Sequence, residues 1–347
     1  MGLPEIFIAF ETAAVSAVSR SARGAVAVVL SDDTPMGPVT AAYQSLADVP
    51  ADKFSEENYR LLDLAFRAAP SKVHVVRLQA EEEQAVYDAL GKLTFNWLAA
   101  PALDSAAVVS YVKERRAAGT MIKAVVANAD APDHEGIVNL CADGLVLSDG
   151  EIDARDYTVR IAALLSALPL TQSATYAQLA EVVSCNGYDD PDGEIDQGKL
   201  IIVQSRGGYR LGRAVNSLTT LTPTKAAPFQ KIKIVEGIDL IQTDIADTFE
   251  KGYIGKVLND YDSKLLLVTA INAYFKELEG EVLDKTADNL CSVSLAGQKS
   301  YLESQGTDTA DMNDAQILRA NTGSQVFLEA HLTFCDAMED LALEISM

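Results

Sequence analysis

Between residues 25 and 170, short apolar runs alternate with amphipathic stretches, and this rhythm constrains the fold more than any other feature of the chain. Residues 25–30, 73–78, 95–99, 122–127 and 144–147 read as strands. Residues 81–93, 105–118 and 153–168 read as helices, with Gly119 and Pro169 placed to stop the last two. Strands that alternate with helical segments argue for a sheet with helices packed over it. The pattern predicts an α/β outer domain over residues 21–215. Its end is marked by an irregular acidic stretch (171–197) and by a hairpin of residues 198–203 and 209–221 around Arg206-Gly207-Gly208.

The last third reads as an α+β inner domain, residues 216–347. Helices are predicted over 243–258, 261–278 and 295–303. The second carries Leu265, Val268, Ile271, Phe275 and Leu278 on one stripe, with Asn259 and Asp262 as capping groups at its start. The chain then ends in two predicted strands. Val326, Leu328, Ala330, Leu332 and Phe334 share one face of the first; Leu341, Leu343, Ile345 and Met347 share a face of the second. The opening residues 1–20 form an arm. In it Ile6, Ile8 and Phe10 alternate with Phe7, Ala9 and Glu11, and a link of small residues runs from Ala13 to Ser21. A two-stranded hairpin is marginal alone, and an open edge recruits another strand. Two arrangements satisfy this: the terminal strands pair within one chain, or they are exchanged between copies.

Chemistry is sparse. His74, His134 and His331 have no neighbours at ligand spacing, and Cys141, Cys185, Cys291 and Cys335 form no CxxC pair, so they read as reduced, buried thiols. The competing reading is a Rossmann-like nucleotide-binding enzyme, but after Leu30 the chain runs SDDTPMGPV and lacks the GxGxxG turn such a fold needs. In the acidic run Asp189–Asp190–Asp192–Glu194–Asp196, a calcium loop starting at Asp190 would place Ile195 where glycine is required, so a solvated loop is expected. Arg206, Arg210 and Arg213 could form an anion site, a surface face, or pair with the acidic surface of another copy. Lys and Arg number 28 against 50 Asp and Glu, a net charge of −22, which repels nucleic acid. No apolar run approaches the length of a bilayer span, so no membrane partner is expected.

Several segments, in this order, resemble the sheath proteins of contractile phage tails and phage-tail-like bacteriocins, in particular the shorter type of Gram-positive bacteria and their prophages. They are GLPEIFIAF at the start, SARGAVAVVL, PLTQSATYAQLAEV (169–182), DQGKLIIV (196–203), GRAVNSLTTL (212–221), FEKGYIGKVLNDYDSKLLLV (249–268) and the terminal GSQVFLEAHLTFCDAMEDLALEISM (323–347). The resemblance implies a structural subunit, not an enzyme, with no cofactor or metal. It implies hexameric rings stacked helically around an inner tail tube, bounded by baseplate and tail terminator. Such a protein is assembled in the bacterial cytoplasm and then forms part of a virion tail or an extracellular particle. It also implies that the terminal strands reach into neighbours. Here those strands carry Ile6, Phe7, Ile8, Phe10, Val326, Leu328, Leu332, Phe334, Leu341, Leu343 and Ile345. Tube contact is expected near Lys251, Tyr253, Lys256 and Lys264.

Overall fold

A computed structural model describes residues 17–21, 23–34, 40–79 and 83–346. The predicted N-terminal strand with Ile6, Phe7, Ile8 and Phe10 lies outside the described residues. The chain divides into two compact units. The larger comprises Ser21–Thr243 and the tail from Cys335; the smaller comprises Asp244–Phe334 and residues 17–20. The expected boundary at residue 215 therefore falls inside the larger unit. Residues 216–243 stay with the sheet because Ser217 N donates to Ile137 O at 2.8 Å and Ile232 is buried in the same core.

The larger unit is built on strands β1 (Ala25–Ser31), β2 (Thr40–Tyr43), β3 (Lys72–Leu78), β4 (Trp97–Ala99), β5 (Lys123–Ala127) and β6 (Ile137–Cys141). A small side sheet holds β7 (Val146–Leu147), β8 (Gly150–Glu151) and β9 (Val182–Ser184), and the hairpin β10 (Lys199–Ser205) and β11 (Gly208–Leu211) follows. The main sheet has the order β11-β10-β6-β5-β4-β1-β3-β2, parallel from β10 to β3, with antiparallel β2 and β11 at its edges.

Parallel strands buried on both faces need helices above and below. Helices α1 (Glu56–Phe66) and α4 (Ala154–Ala167) cover one face; α2 (Glu83–Leu90) and α3 (Ser105–Ala117) cover the other. β1 serves both cores. Val26, Val28 and Leu30 face Leu61, Leu64 and Tyr157, while Ala27 and Val29 face Val86, Leu90 and Val112. Local chemistry agrees with this layout: Asp104 and Asp153 cap α3 and α4, and Gly119 adopts φ +91° just past α3.

Two sequence expectations change here. The acidic run is not only loop. Asp190 caps a short helix, α5 (Pro191–Asp196), by accepting from Gly193 N at 3.1 Å. Helix α6 (Ile232–Gly252) starts eleven residues before the expected residue 243; its residues 232–243 belong to the larger unit and 244–252 to the smaller. The smaller unit also contains α7 (Tyr261–Leu278), β12 (Leu290–Val293), α8 (Leu295–Ser304), α9 (Asp314–Arg319) and β13 (Leu328–His331). Its core is Leu267, Ile271, Tyr274, Phe275, Leu278, Leu283, Val293 and Leu302.

Candidate assembly surfaces

In the smaller unit, α7 begins at Asp260, whose carboxylate accepts from Ser263 N at 2.8 Å, and it packs on β12. Asn272 on α7 clamps the strand by bonding both the N–H and the C=O of Cys291, at 2.7 and 3.0 Å. β12 pairs antiparallel with β13, Leu290 opposite His331 and Val293 opposite Leu328. Among the described residues these two strands form a sheet by themselves. The first terminal strand is therefore present but shorter than expected, and it pairs with β12, not with the tail. Val326, Leu328, Leu332 and Phe334 are half-buried beside it. Leu283 bridges to Phe334.

The second expected strand is not formed. Residues 341–346 take no regular structure, and Leu341, Leu343 and Ile345 are 88%, 71% and 78% exposed. The reason is physical. A strand needs a partner edge, and three of the five residues before it are tied by side chains to the larger unit. Glu339 and Asp340 bond Arg213, and Asp336 and Glu339 bond Lys231. Of the three hairpin arginines, Arg213 thus meets acidic partners within its own chain; Arg210 donates to Tyr176 O at 3.1 Å, and Arg206 is exposed.

The four expected tube-contact residues separate into two pairs. Lys251 is exposed and pairs with Asp247 at 2.6 Å, and exposed Lys256 donates to Lys251 O. Tyr253 is buried and stacks on Phe249, with ring centroids 5.9 Å apart. Lys264 is buried as well. Its ammonium donates to Gln298 Oε1 at 2.6 Å and Thr322 Oγ1 at 2.9 Å, so it is a structural residue of this unit, with its stem in the wall of an adjacent cleft. Sequence reasoning placed Lys264 outside because lysine is almost never fully buried. The same region carries a surface the sequence did not reveal. A cleft of about 430 Å³ is lined by Phe249, Tyr253, Ile254, Val257, Leu258 and Leu267. Ile254 and Leu258 are 58% and 80% exposed beside it.

A doubly wound sheet binds a nucleotide beyond the C-terminal ends of its strands. At the C-terminal end of β1 sits buried Asp32, which accepts from Thr34 N at 2.9 Å, Ser55 N at 3.1 Å and Asn58 Nδ2 at 2.8 Å. Burial alone would raise its pKa, but these hydrogen bonds outweigh it and hold the carboxyl at about 2. The buried Arg77 guanidinium lies 3.6 Å from the same carboxylate, so Asp32 serves as a structural anchor of the β1 end. Among the described residues, no group of three or more His, Cys, Asp or Glu is placed to hold a metal ion. None of the described helices is long and apolar enough to cross a membrane.

The described residues thus present a two-stranded sheet and an apolar cleft in the smaller unit, and an extended apolar tail in the larger. Residues 224–347 match the phage tail sheath C-terminal domain. The chain is 35% identical to the tail sheath protein of Clostridium phage phiCD119, over 100% of its own length and 99% of the relative's. Its fold is shared with the anti-feeding prophage helical sheath in the contracted state (TM-score 0.74, 14% identity, 100% and 99% coverage). It is also shared with a sheath tail protein from Listeria innocua (TM-score 0.67, 15% identity, 91% and 96% coverage). The chain belongs to the phage tail sheath family and is a structural subunit of a contractile sheath. The enzyme alternative finds no support in these similarities.

Proposed function

We propose that this subunit polymerises with copies of itself as stacked six-membered rings around an inner tail tube, and that its chain ends are shared between neighbouring copies. The observation that supports this most is the tail. Leu341, Leu343 and Ile345 recur at every second residue and are exposed, and among the described residues the β12–β13 sheet has two strands. Extended apolar segments and short open sheets complete one another through backbone hydrogen bonds. Ile6, Phe7, Ile8 and Phe10 at the other end are the second donated strand, and Val326, Leu328, Leu332 and Phe334 belong to the receiving sheet. Backbone pairing through flexible links lets rigid bodies rotate without parting, which is what a shortening sheath requires. The energy comes from the change of conformation; the subunit performs no catalysis and needs no cofactor.

The unit of residues 244–334 is the inner one, with Lys251 and Lys256 beside the apolar cleft facing the tube, and the larger unit is the outer one. The ends of the polymer meet baseplate and tail terminator. Assembly takes place in the bacterial cytoplasm, before release as a virion tail or a phage-tail-like particle. Negative-stain electron microscopy tests the central point. Purified protein forms long cylinders, and deletion of residues 341–347 abolishes them while leaving the single-tryptophan fluorescence of the folded subunit unchanged. Normal cylinders from the deletion variant would refute strand sharing.

A further inference from the structure

The tail is not loose up to the point where its apolar residues begin. Four donors converge on the carboxylate of Glu339. Oε1 is 2.6 Å from Thr175 Oγ1 and 3.0 Å from Ser173 Oγ. Oε2 is 3.0 Å from Arg213 Nη1 and 3.2 Å from Lys231 Nζ. The Glu339 side chain is only 5% exposed. The flanking acids are held as well: Arg213 Nη2 donates to Asp340 Oδ1 at 2.7 Å, Lys231 to Asp336, and Lys233 to the Cys335 carbonyl.

The receiving side is organised by its own backbone. Ser173 Oγ accepts from Thr175 N at 3.1 Å, and Thr175 Oγ1 accepts from Ala214 N at 2.9 Å, so the Thr175 proton is left to offer the tail, while the single Ser173 proton is shared between Thr175 Oγ1 at 3.0 Å and Glu339. These groups come from the loop after α4, the end of the β10–β11 hairpin and the start of α6. Three basic side chains collected on one spot stand out in a chain of net charge −22.

We propose that Ser173, Thr175, Arg213, Lys231 and Lys233 form a recognition socket for an acidic segment, that its occupant is residues 336–340 of this chain, and that it fixes the point from which residues 341–346 depart. The socket reads charge and spacing: one buried carboxylate at its centre and one acid on either side. Its value to assembly rests on the strand-sharing reading above. With the base of the tail pinned, only the last residues are free to pair, and their register is set by the subunit that supplies them.

Cleavage by a glutamate-specific endopeptidase reads the socket directly in the full-length chain. Glu339 is buried there, whereas Glu344 is exposed and serves as the internal control. The rate of cleavage after Glu339 relative to Glu344 is low in the wild type. It rises about 10- to 100-fold in Arg213→Ala and Lys231→Ala, the loss expected when hydrogen bonds to a charged group are removed. Because a variant could fold poorly, the wild type is also compared at 0.1 and 1 M NaCl, where screening of partly exposed pairs raises the same ratio. A ratio unmoved by substitution and by salt overturns the proposal. A ratio that rises while the 341–347 deletion still forms cylinders leaves the socket standing and removes strand sharing.

Discussion

Arg116 and Asp239 meet through both ends of their side chains: Nη1 to Oδ2 and Nη2 to Oδ1, each at 2.8 Å, with Lys123 Nζ on Oδ2 at 2.8 Å. The pair ties α3 to α6, and the side chains of Arg116 and Asp239 are 8% and 4% exposed. Burial disfavours the Asp239 anion, but Lys123 and Arg116 outweigh it and lower its pKa. Removing Asp239 takes the bidentate partner from Arg116 and one of two acids from Lys123, leaving only Glu135 at 3.7 Å and Glu236 at 3.0 Å to face two buried cations. Asp239→Ala is expected to destabilise the larger unit by about 3–5 kcal/mol. Urea unfolding followed by the only tryptophan, Trp97, which is buried in that unit, measures it.

Lys264 and Lys251 differ in burial: the first is enclosed by two acceptors, the second is exposed. Lys264→Ala deletes two buried hydrogen bonds and is expected to destabilise the smaller unit by about 1–3 kcal/mol. Lys251→Ala, at a side chain 73% exposed, is expected to stay within about 0.5 kcal/mol. Hydrogen exchange of α7 amides reports both.

His134 gives the larger unit a dependence on pH. Burial lowers its pKa to about 4, with Arg116, Lys225 and Lys113 acting in the same sense and Glu135 against them. In the unfolded chain it takes up a proton near 6.5, while in the folded chain it stays neutral until about 4. The unfolded state therefore binds more protons within that window, and stability falls as pH drops from 6.5 towards 4. His134→Asn flattens this part of the urea-midpoint profile.

Asp156 works in the opposite direction. Burial, then Asp153 and Glu57, raise its pKa from 3.8 to about 6. Its protonated form favours the fold below 3.8, and that contribution is lost as pH rises through 6. Asp156→Asn is expected to raise the urea midpoint at pH 7 relative to the wild type and to change it little at pH 4.

Burial pushes the Cys141 and Cys291 thiols up to about 11. Both remain protonated at pH 8, so iodoacetamide labels them far more slowly than a free thiol unless urea is added. Mass spectrometry of the alkylated chain checks this.

The sheet was legible because its strands are unbroken apolar runs and its helices carry caps: Ala25–Ser31, Ser105–Ala117 and Tyr261–Leu278 lie within a residue or two of expectation. β6 was not legible because Asn139 interrupts it. That side chain is buried and clamps Ala129 through its N–H and C=O, a role visible only once the neighbouring loop is placed. The start of α6 was missed because KIKIV alternates with a period of two, like a strand, although it is helical in the fold. The tail was half legible. Leu341, Leu343 and Ile345 announce an apolar strand face, but pairing is a property of two edges, and a single chain's sequence names only one. The Glu339 socket was invisible because its five residues come from three separate segments and their acidic occupant lies more than a hundred positions further along the chain.

The claim on which assembly depends is that the chain ends complete sheets on other copies. High-resolution cryo-electron microscopy of the polymer measures it directly. The expected map shows β12–β13 widened by backbone hydrogen bonds to residues 341–346 or to the Ile6–Phe10 segment of a different subunit. A map in which both ends of every copy pair only with their own subunit would contradict it.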